Sequence, residues 1–121
     1  MEESKRQKQM AGLIQTEMSD IFQREGLNVT QGGMISIAQV KVTPDLMEAR
    51  FYLSFYKIPE PEKMLKYIKE QDWKLRKLLA ARIKNQVRKI PVLSYYLDDT
   101  LEYAAKIDEL FKTIEIPQIE D

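Results

Sequence analysis

The hydrophobic pattern at the start of the chain predicts an amphipathic helix. Apolar residues recur at helical spacing across residues 4–25, and the pattern ends just before Gly26. These apolar positions are Met10, Leu13, Ile14, Met18, Ile21 and Phe22. The following stretch, residues 28–33, is rich in turn-forming residues and contains the pair Gly32-Gly33. We therefore predict one long helix that is followed by a turn.

Two strands are predicted next, joined by a short connection. Residues 34–42 are rich in β-branched side chains, and Pro44 ends this run because proline fixes its own φ and biases the preceding residue toward extended geometry. Residues 49–56 alternate between apolar and more polar side chains, which places one face of this strand in a core. The connection is short enough for an antiparallel hairpin.

Residues 61–90 have helical character but are too long for one straight helix. Roughly 30 residues would span about 45 Å, against a width of about 35 Å for a domain of this size. A straight helix would also bury the carboxylate of Asp72 in its apolar stripe. We predict a break at Gln71-Asp72, with Asp72 capping a second helix that continues to Ile90.

A third strand and a last helix complete the predicted elements. Residues 92–97 are apolar and aromatic, as is typical of a strand. Asp99 and Glu102 then have the spacing of a capping box. Apolar residues continue at helical spacing at Leu101, Ala104, Ile107, Phe111 and Ile114.

These elements predict an α+β fold in a single domain. A length of 121 residues with 44% apolar side chains fits one domain with its own core. The predicted sheet has three strands, with the helices packed on one face. We expect this domain, with its acidic C-terminal helix, to occupy residues 1–116, and residues 117–121 to form a flexible tail.

The composition excludes several classes of function. The chain contains no cysteine and no histidine, which removes disulfides, most transition-metal sites and the Cys-His and Ser-His-Asp nucleophiles. It also lacks the roughly 18 consecutive apolar residues that a membrane span requires. We expect a cytoplasmic monomer with no catalytic residue, metal, cofactor or membrane contact.

The charge is segregated along the chain although the formal net charge is zero. Residues 57–90 carry eleven basic and four acidic side chains, whereas residues 91–121 carry two basic and eight acidic ones. A concentrated positive surface suits a polyanion, because each Lys or Arg placed on a phosphate releases counterions. Nucleic acid is therefore the predicted class of partner.

The candidate RNA-binding residues lie mainly on the second half of the broken helix. Four cations fall at spacings of three and four and would share one face of a helix that reaches residue 90. These are Lys74, Lys77, Lys84 and Arg88. Arg82 falls toward the apolar stripe, where its stem can run along the core edge. The full set of candidates is Trp73, Lys74, Arg76, Lys77, Lys84, Arg88 and Lys89, together with Lys41 and Arg50 on the sheet.

Several of these features have a second interpretation. A charged helix face is often simply solvated, although like charges without acidic partners repel one another unless an anion intervenes. Trp73 can stack on a base, fill a pocket in a protein partner or belong to the core. The tyrosines at 52, 56 and 96 form either a stacking platform or ordinary cross-strand contacts. The acidic C-terminal helix either orients the chain on its partner or only provides solubility.

Several stretches resemble one known family. They are Met34-Ile35-Ser36-Ile37, Val40-Lys41-Val42-Thr43-Pro44-Asp45-Leu46, Ala49-Arg50-Phe51-Tyr52-Leu53-Ser54, Leu75-Arg76-Lys77-Leu78-Leu79, Val87-Arg88-Lys89-Ile90-Pro91-Val92-Leu93 and Leu97-Asp98-Asp99-Thr100-Leu101-Glu102. In this order they are similar to bacterial ribosome-binding factor A, and the element order is that of a type II KH domain. The resemblance implies a KH-like factor that binds the free small (30S) ribosomal subunit and its 16S rRNA. It also implies a role in late maturation and in processing of the precursor 5′ end, particularly in the cold, with ribosomal proteins and an assembly GTPase as further candidate partners.

The sequence departs from the usual KH pattern in one respect. KH domains bind single strands through a Gly-x-x-Gly loop, but all four glycines here precede position 34. The family resembled here tends to have an Ala-x-Gly kink, and the aligned positions are Gln71, Asp72 and Trp73. A protein-interaction module without a direct RNA role is the alternative function, and nothing in the composition supports a nuclease.

Overall fold

The computed structural model describes residues 3–30 and 32–98, and at Thr30 the backbone alone. The helices are α1 (Lys5–Arg24), α2 (Pro61–Glu70) and α3 (Asp72–Ile83). The strands are β1 (Val29–Thr30), β2 (Gly33–Val42), β3 (Glu48–Tyr56) and β4 (Val92–Leu97). The predicted helix, hairpin, broken helix and strand are confirmed in their predicted order, and the predicted C-terminal helix and tail lie outside the described residues.

The sheet has the order β1-β2-β3-β4. Strands β2 and β3 are antiparallel, as predicted, and β4 runs parallel to β3. The three predicted strands form the body of the sheet, and the two-residue strand β1 extends it by pairing Val29 with Met34 on the outer edge of β2. The pattern did not predict β1, because two residues are too few to show a strand period.

The core lies between one face of the sheet and the three helices. The side chains of β2 and β3 alternate, so that Ile35, Ile37, Phe51 and Leu53 are buried on the helical side. Helix α1 packs on β2, α3 packs beside α1, and α2 packs against β4. Burying a side chain of this size stabilises the fold by about 1.5–3 kcal/mol. The opposite side of the sheet, which we call the open face, carries no helix from the described residues.

Helix α1 begins at a capping box that the apolar spacing did not reveal. The Ser4 hydroxyl accepts from the Gln7 backbone N–H at 3.1 Å, and the Gln7 side chain accepts from the Ser4 N–H at 2.7 Å. The Gln7 amide also donates to the Val42 carbonyl at 2.8 Å, so this buried side chain joins the helix start to the end of β2. In the part of the chain that the structure describes, no helix is both long and apolar enough to cross a membrane.

The predicted break between the two central helices is confirmed, but its chemistry differs from the prediction. Gln71 separates α2 from α3, and Asp72 is the first residue of α3, where its side chain caps no backbone N–H. The Asp72 carboxylate instead accepts a hydrogen bond from the Tyr95 hydroxyl at 2.9 Å. Burial raises the pKa of Tyr95, and the nearby Asp72 raises it further, so the phenol stays protonated as the donor. The aspartate therefore ties the break to β4.

Helix α3 ends at Ile83, so the predicted continuation to Ile90 is wrong. Residues 84–86 form a turn, and the chain then reverses toward β4. The Arg76 guanidinium donates to the carbonyls of Ile90 at 3.1 Å and of Pro91 at 2.5 Å. These bonds hold the returning segment alongside α3, and a longer helix would carry it away from the sheet.

Candidate nucleic-acid interface

The outward side of α3 presents an aromatic residue and a lysine one turn apart. Leu75, Leu79 and Ile83 face the core and are buried. Trp73 is 68% exposed, and Lys77 is exposed one turn further along. The interpretation of Trp73 as a core residue is therefore wrong, and its ring is available for contact with a partner.

Lys74 has an acidic partner that the local sequence did not indicate. Its ammonium lies 2.7 Å from the Glu25 carboxylate, which follows the last turn of α1. The hydrogen bond that the Lys74 ammonium donates to Glu25 raises the pKa of Lys74. Because Glu25 is distant in sequence and adjacent only in the fold, a count of neighbouring charges could not reveal it. Lys74 is thus partly neutralised before any partner binds.

Arg76 has an internal role in the described structure. Its guanidinium is half-buried and donates to two backbone carbonyls at the start of β4. Both bonds use charged donors, which makes them stronger than ordinary amide hydrogen bonds. Arg76 therefore positions the segment that carries Arg88 and Lys89.

Four exposed cations remain in the middle of α3, at the residue that follows its end and in the segment that leads to β4. We call this set the basic surface, and it consists of Lys77, Lys84, Arg88 and Lys89. Among residues 3–30 and 32–98, none of the ion pairs involves any of these four side chains. The predicted single helical ridge is corrected in its geometry, because Arg88 lies beyond the helix and Lys74 is paired. The four cations therefore extend from the middle of α3 to the loop before β4.

Arg82 packs between α3 and α1 through charged contacts. The prediction placed its stem along the core edge, and its guanidinium lies 2.7 Å from Asp20 and 3.2 Å from Glu17 on α1. Asp20 also pairs with Arg24 at 2.7 Å. The hydrogen bonds that Asp20 accepts from Arg24 and then Arg82 lower the pKa of Asp20, and the bond that Arg82 donates to Asp20 raises the pKa of Arg82. The group joins two helices and leaves Arg82 unavailable to a ligand.

Acid is expected to weaken the fold partly through Asp20. The pKa of Asp20 is lower in the folded chain than its usual value of 3.8. Its contribution to the free energy of unfolding is therefore complete above pH 3.8 and is lost as the pH falls through the pKa of the folded chain. The urea midpoint should therefore fall less between pH 6 and pH 3 in Asp20→Asn than in the parent. Glu62→Gln, which removes an exposed carboxylate from α2, is the control. Equal acid dependence in parent and Asp20→Asn would contradict this role.

The remaining candidates lie on the open face, across the sheet from α3. Lys41 and Arg50 are direct partners in the β2–β3 register, and both are exposed. The Arg50 guanidinium lies 3.3 Å from Glu48, which also accepts a hydrogen bond from the Ser94 hydroxyl at 2.8 Å. In the next row, the rings of Tyr52 and Tyr96 stack with centroids 5.4 Å apart.

The candidate residues therefore form two separate groups. One group combines Trp73 with the basic surface on the helical side, and the other combines Lys41 and Arg50 with two stacked tyrosines on the open face. In the described part of the chain, no group of three or more acidic side chains is placed to hold a metal ion. Exposed cations beside aromatic rings match the chemistry of nucleic acid, which offers phosphates and base faces.

The chain is similar in sequence to one known family of proteins. The sequence profile of ribosome-binding factor A matches residues 6–111. Ribosome-binding factor A of Cytophaga hutchinsonii is 44% identical over 119 residues, which cover 98% of this chain and 90% of that protein.

Two solved structures have a similar fold. The solution structure of a Thermotoga maritima protein, described as a putative ribosome binding factor A, has a TM-score of 0.64 at 18% identity and covers 83% of this chain and 93% of that one. A homology model of Thermus thermophilus ribosome binding factor A, fitted into the cryo-EM map of its 30S complex, has a TM-score of 0.55 at 13% identity, with coverage of 71% and 88%. The length of the profile match and the identity to the Cytophaga protein decide the family. The chain belongs to the ribosome-binding factor A family.

Proposed function

We propose that this chain binds the free small ribosomal subunit and contacts its 16S rRNA mainly through the basic surface. The observation that carries the proposal is the set of four exposed cations that no acidic side chain of the described residues pairs with. The complex of the Thermus homologue with the 30S subunit supports the choice of particle. The segregated charge of the chain supports RNA as the contacted component.

The proposed contacts have an expected dependence on salt. Each cation on a duplex phosphate contributes roughly 0.9 to the slope of log K against log salt concentration. Four such contacts predict a loss of affinity of roughly 100-fold between 50 and 200 mM salt. Trp73 lies beside this surface and is proposed to stack on an unpaired base, a contact worth about 1–3 kcal/mol. Lys74, Lys41 and Arg50 are proposed as further contacts, weakened by the ion pairs that Lys74 and Arg50 already form.

The proposed role is binding without catalysis. The chain would stabilise a late precursor of the small subunit so that other enzymes process the 5′ end of its rRNA, with the greatest benefit in the cold. The absence of histidine and cysteine from the sequence supports a role without catalysis, because these residues are common general bases and nucleophiles. The proposal places the chain in the cytoplasm, with ribosomal proteins and an assembly GTPase as candidate partners.

Co-sedimentation of the purified chain with ribosomal particles tests the proposal. We expect association with free small subunits, little association with joined ribosomes, and the steep salt dependence given above. Association that does not change with salt would contradict the proposed phosphate contacts and would favour binding to a ribosomal protein. No association with either particle would contradict the proposed function.

A further inference from the structure

The open face carries more apolar surface than a solvated sheet face requires. In antiparallel sheets with one face in water, the outward positions are usually polar. Here Met34 is 54% exposed and lies beside the exposed ring of Tyr56 at one end of the face, whereas Val92 is 59% exposed at the other end. The exposed ring of Tyr96 lies between them on the same face. Val29, opposite Met34, extends this surface to the sheet edge. An apolar surface of this kind marks an interaction site.

We propose that the acidic segment 99–121 of the same chain packs on this open face. The segment lies outside the described residues, and its sequence supplies apolar side chains at helical spacing. These are Leu101, Ala104, Ile107, Phe111 and Ile114. In helical form the stripe from Leu101 to Ile114 would be about 20 Å long. Four strands spaced about 4.8 Å apart span roughly 14 Å between the outer strand axes, so a stripe of this length would cross the whole face.

The end of β4 delivers the segment to this face. Strand β4 ends at Leu97, opposite Leu53, while β3 continues to Tyr56. The Asp98 N–H donates to the Leu53 carbonyl at 2.8 Å, so the chain is held on the sheet up to the residue before the segment. The segment therefore starts at the end of the sheet where Tyr56 and its β2 partner Met34 lie.

The charges of the segment and the face are complementary. Residues 99–121 contain seven acidic side chains and two lysines, whereas residues 1–98 contain seventeen basic and twelve acidic ones. On the open face, Lys41 and Arg50 lie side by side and exposed, so the acidic segment and the rRNA would compete for these two cations. The basic surface also carries positive charge and has Trp73 as an exposed neighbour, whereas Met34, Val92 and two tyrosines are exposed on the open face. The open face therefore combines exposed cations with more exposed apolar side chains than the basic surface does, and this packing does not depend on ribosome binding.

A crosslinking experiment on the full-length chain tests the packing. Because the chain has no cysteine, an introduced pair reports a single contact. Ala104→Cys is combined with Ser36→Cys, which is exposed on the open face, or with Ser19→Cys, which is exposed on α1. A short bismaleimide should join the Ser36→Cys pair at least about tenfold faster, because docking raises the effective concentration of the two thiols.

The products distinguish the packing from other occupants of the face. The expected product is an intramolecular crosslink in a monomer, and adding Phe111→Asp should remove the difference between the two pairs. Equal rates in the two pairs would overturn the proposal. A covalent dimer as the main product would also overturn it, because the face would then be covered by a second copy. A failure here would leave the co-sedimentation result unaffected, since the basic surface lies on the other side of the sheet.

Discussion

Reversing the charge of the basic surface is expected to abolish co-sedimentation with free small subunits. The variant carries Lys77→Glu, Lys84→Glu, Arg88→Glu and Lys89→Glu. All four side chains are exposed and form no ion pair within the described residues, so the fold should be retained. Losing four phosphate contacts should lower affinity by at least roughly 100-fold at low salt and remove most of the salt dependence. Sedimentation across a salt series measures both quantities.

A matched control separates the position of these charges from their number. Lys5→Glu, Lys8→Glu, Lys66→Glu and Lys69→Glu make the same change in net charge at exposed positions of α1 and α2. This control variant should keep most of its affinity for the small subunit. Salt screens charges that lie far from the contact, so charges at the contact contribute most to binding. Equal losses in both variants would show that overall charge alone drives the association. Full binding by the first variant would remove the basic surface from the proposed interface.

Periodic burial explains why the sequence was sufficient to predict most elements. Helix α1 and strands β2 and β3 each bury one face, so their apolar residues repeat with the period of the element. The break at Gln71 was also predictable, because a straight helix would have buried the Asp72 carboxylate. In both cases the information lies in residues that are close together in sequence.

The features that were predicted wrongly or missed depend on contacts between distant residues. The Tyr95 hydroxyl draws Asp72 away from a capping role, and Tyr95 lies 23 residues further along the chain. The end of α3 depends on Arg76 and two carbonyls beyond the turn. Helical character alone continues through residue 90, so it could not show where the chain reverses.

The candidate site was predictable in composition but not in geometry. The concentration of positive charge after Trp73 is visible in the sequence, and the exposure of Trp73, Lys77 and Lys84 agrees with it. The sequence does not show which cations form internal contacts and which stay exposed for a partner. Glu25 pairs with Lys74 only because α1 and α3 pack side by side. Which charges remain for a partner is therefore a property of the fold.

Replacing Gly33 by alanine is expected to destabilise the fold strongly. Gly33 begins β2 and is buried, and a Cβ at this position would overlap the backbone carbonyl oxygens of Tyr56 and Lys57 at the end of β3. These are backbone atoms in the sheet, so they cannot rotate away as a flexible side chain would. Overpacking of this kind costs about 1–3 kcal/mol. Urea unfolding should show a lower midpoint with an unchanged slope.

Gly12→Ala is the matched control. At this position, the same substitution should raise the stability of the fold and not lower it. Gly12 lies on an exposed position of α1, and no atom approaches within 4 Å of an added Cβ. Alanine is favoured over glycine inside a helix by about 1 kcal/mol, so this variant should be more stable than the parent. The difference between the two variants then isolates the close approach of β2 to the end of β3. Unfolding of Gly33→Ala at the same urea concentration as the parent would contradict this prediction. The start of β2 and the end of β3 would then have to be further apart, and position 33 would not require glycine for space.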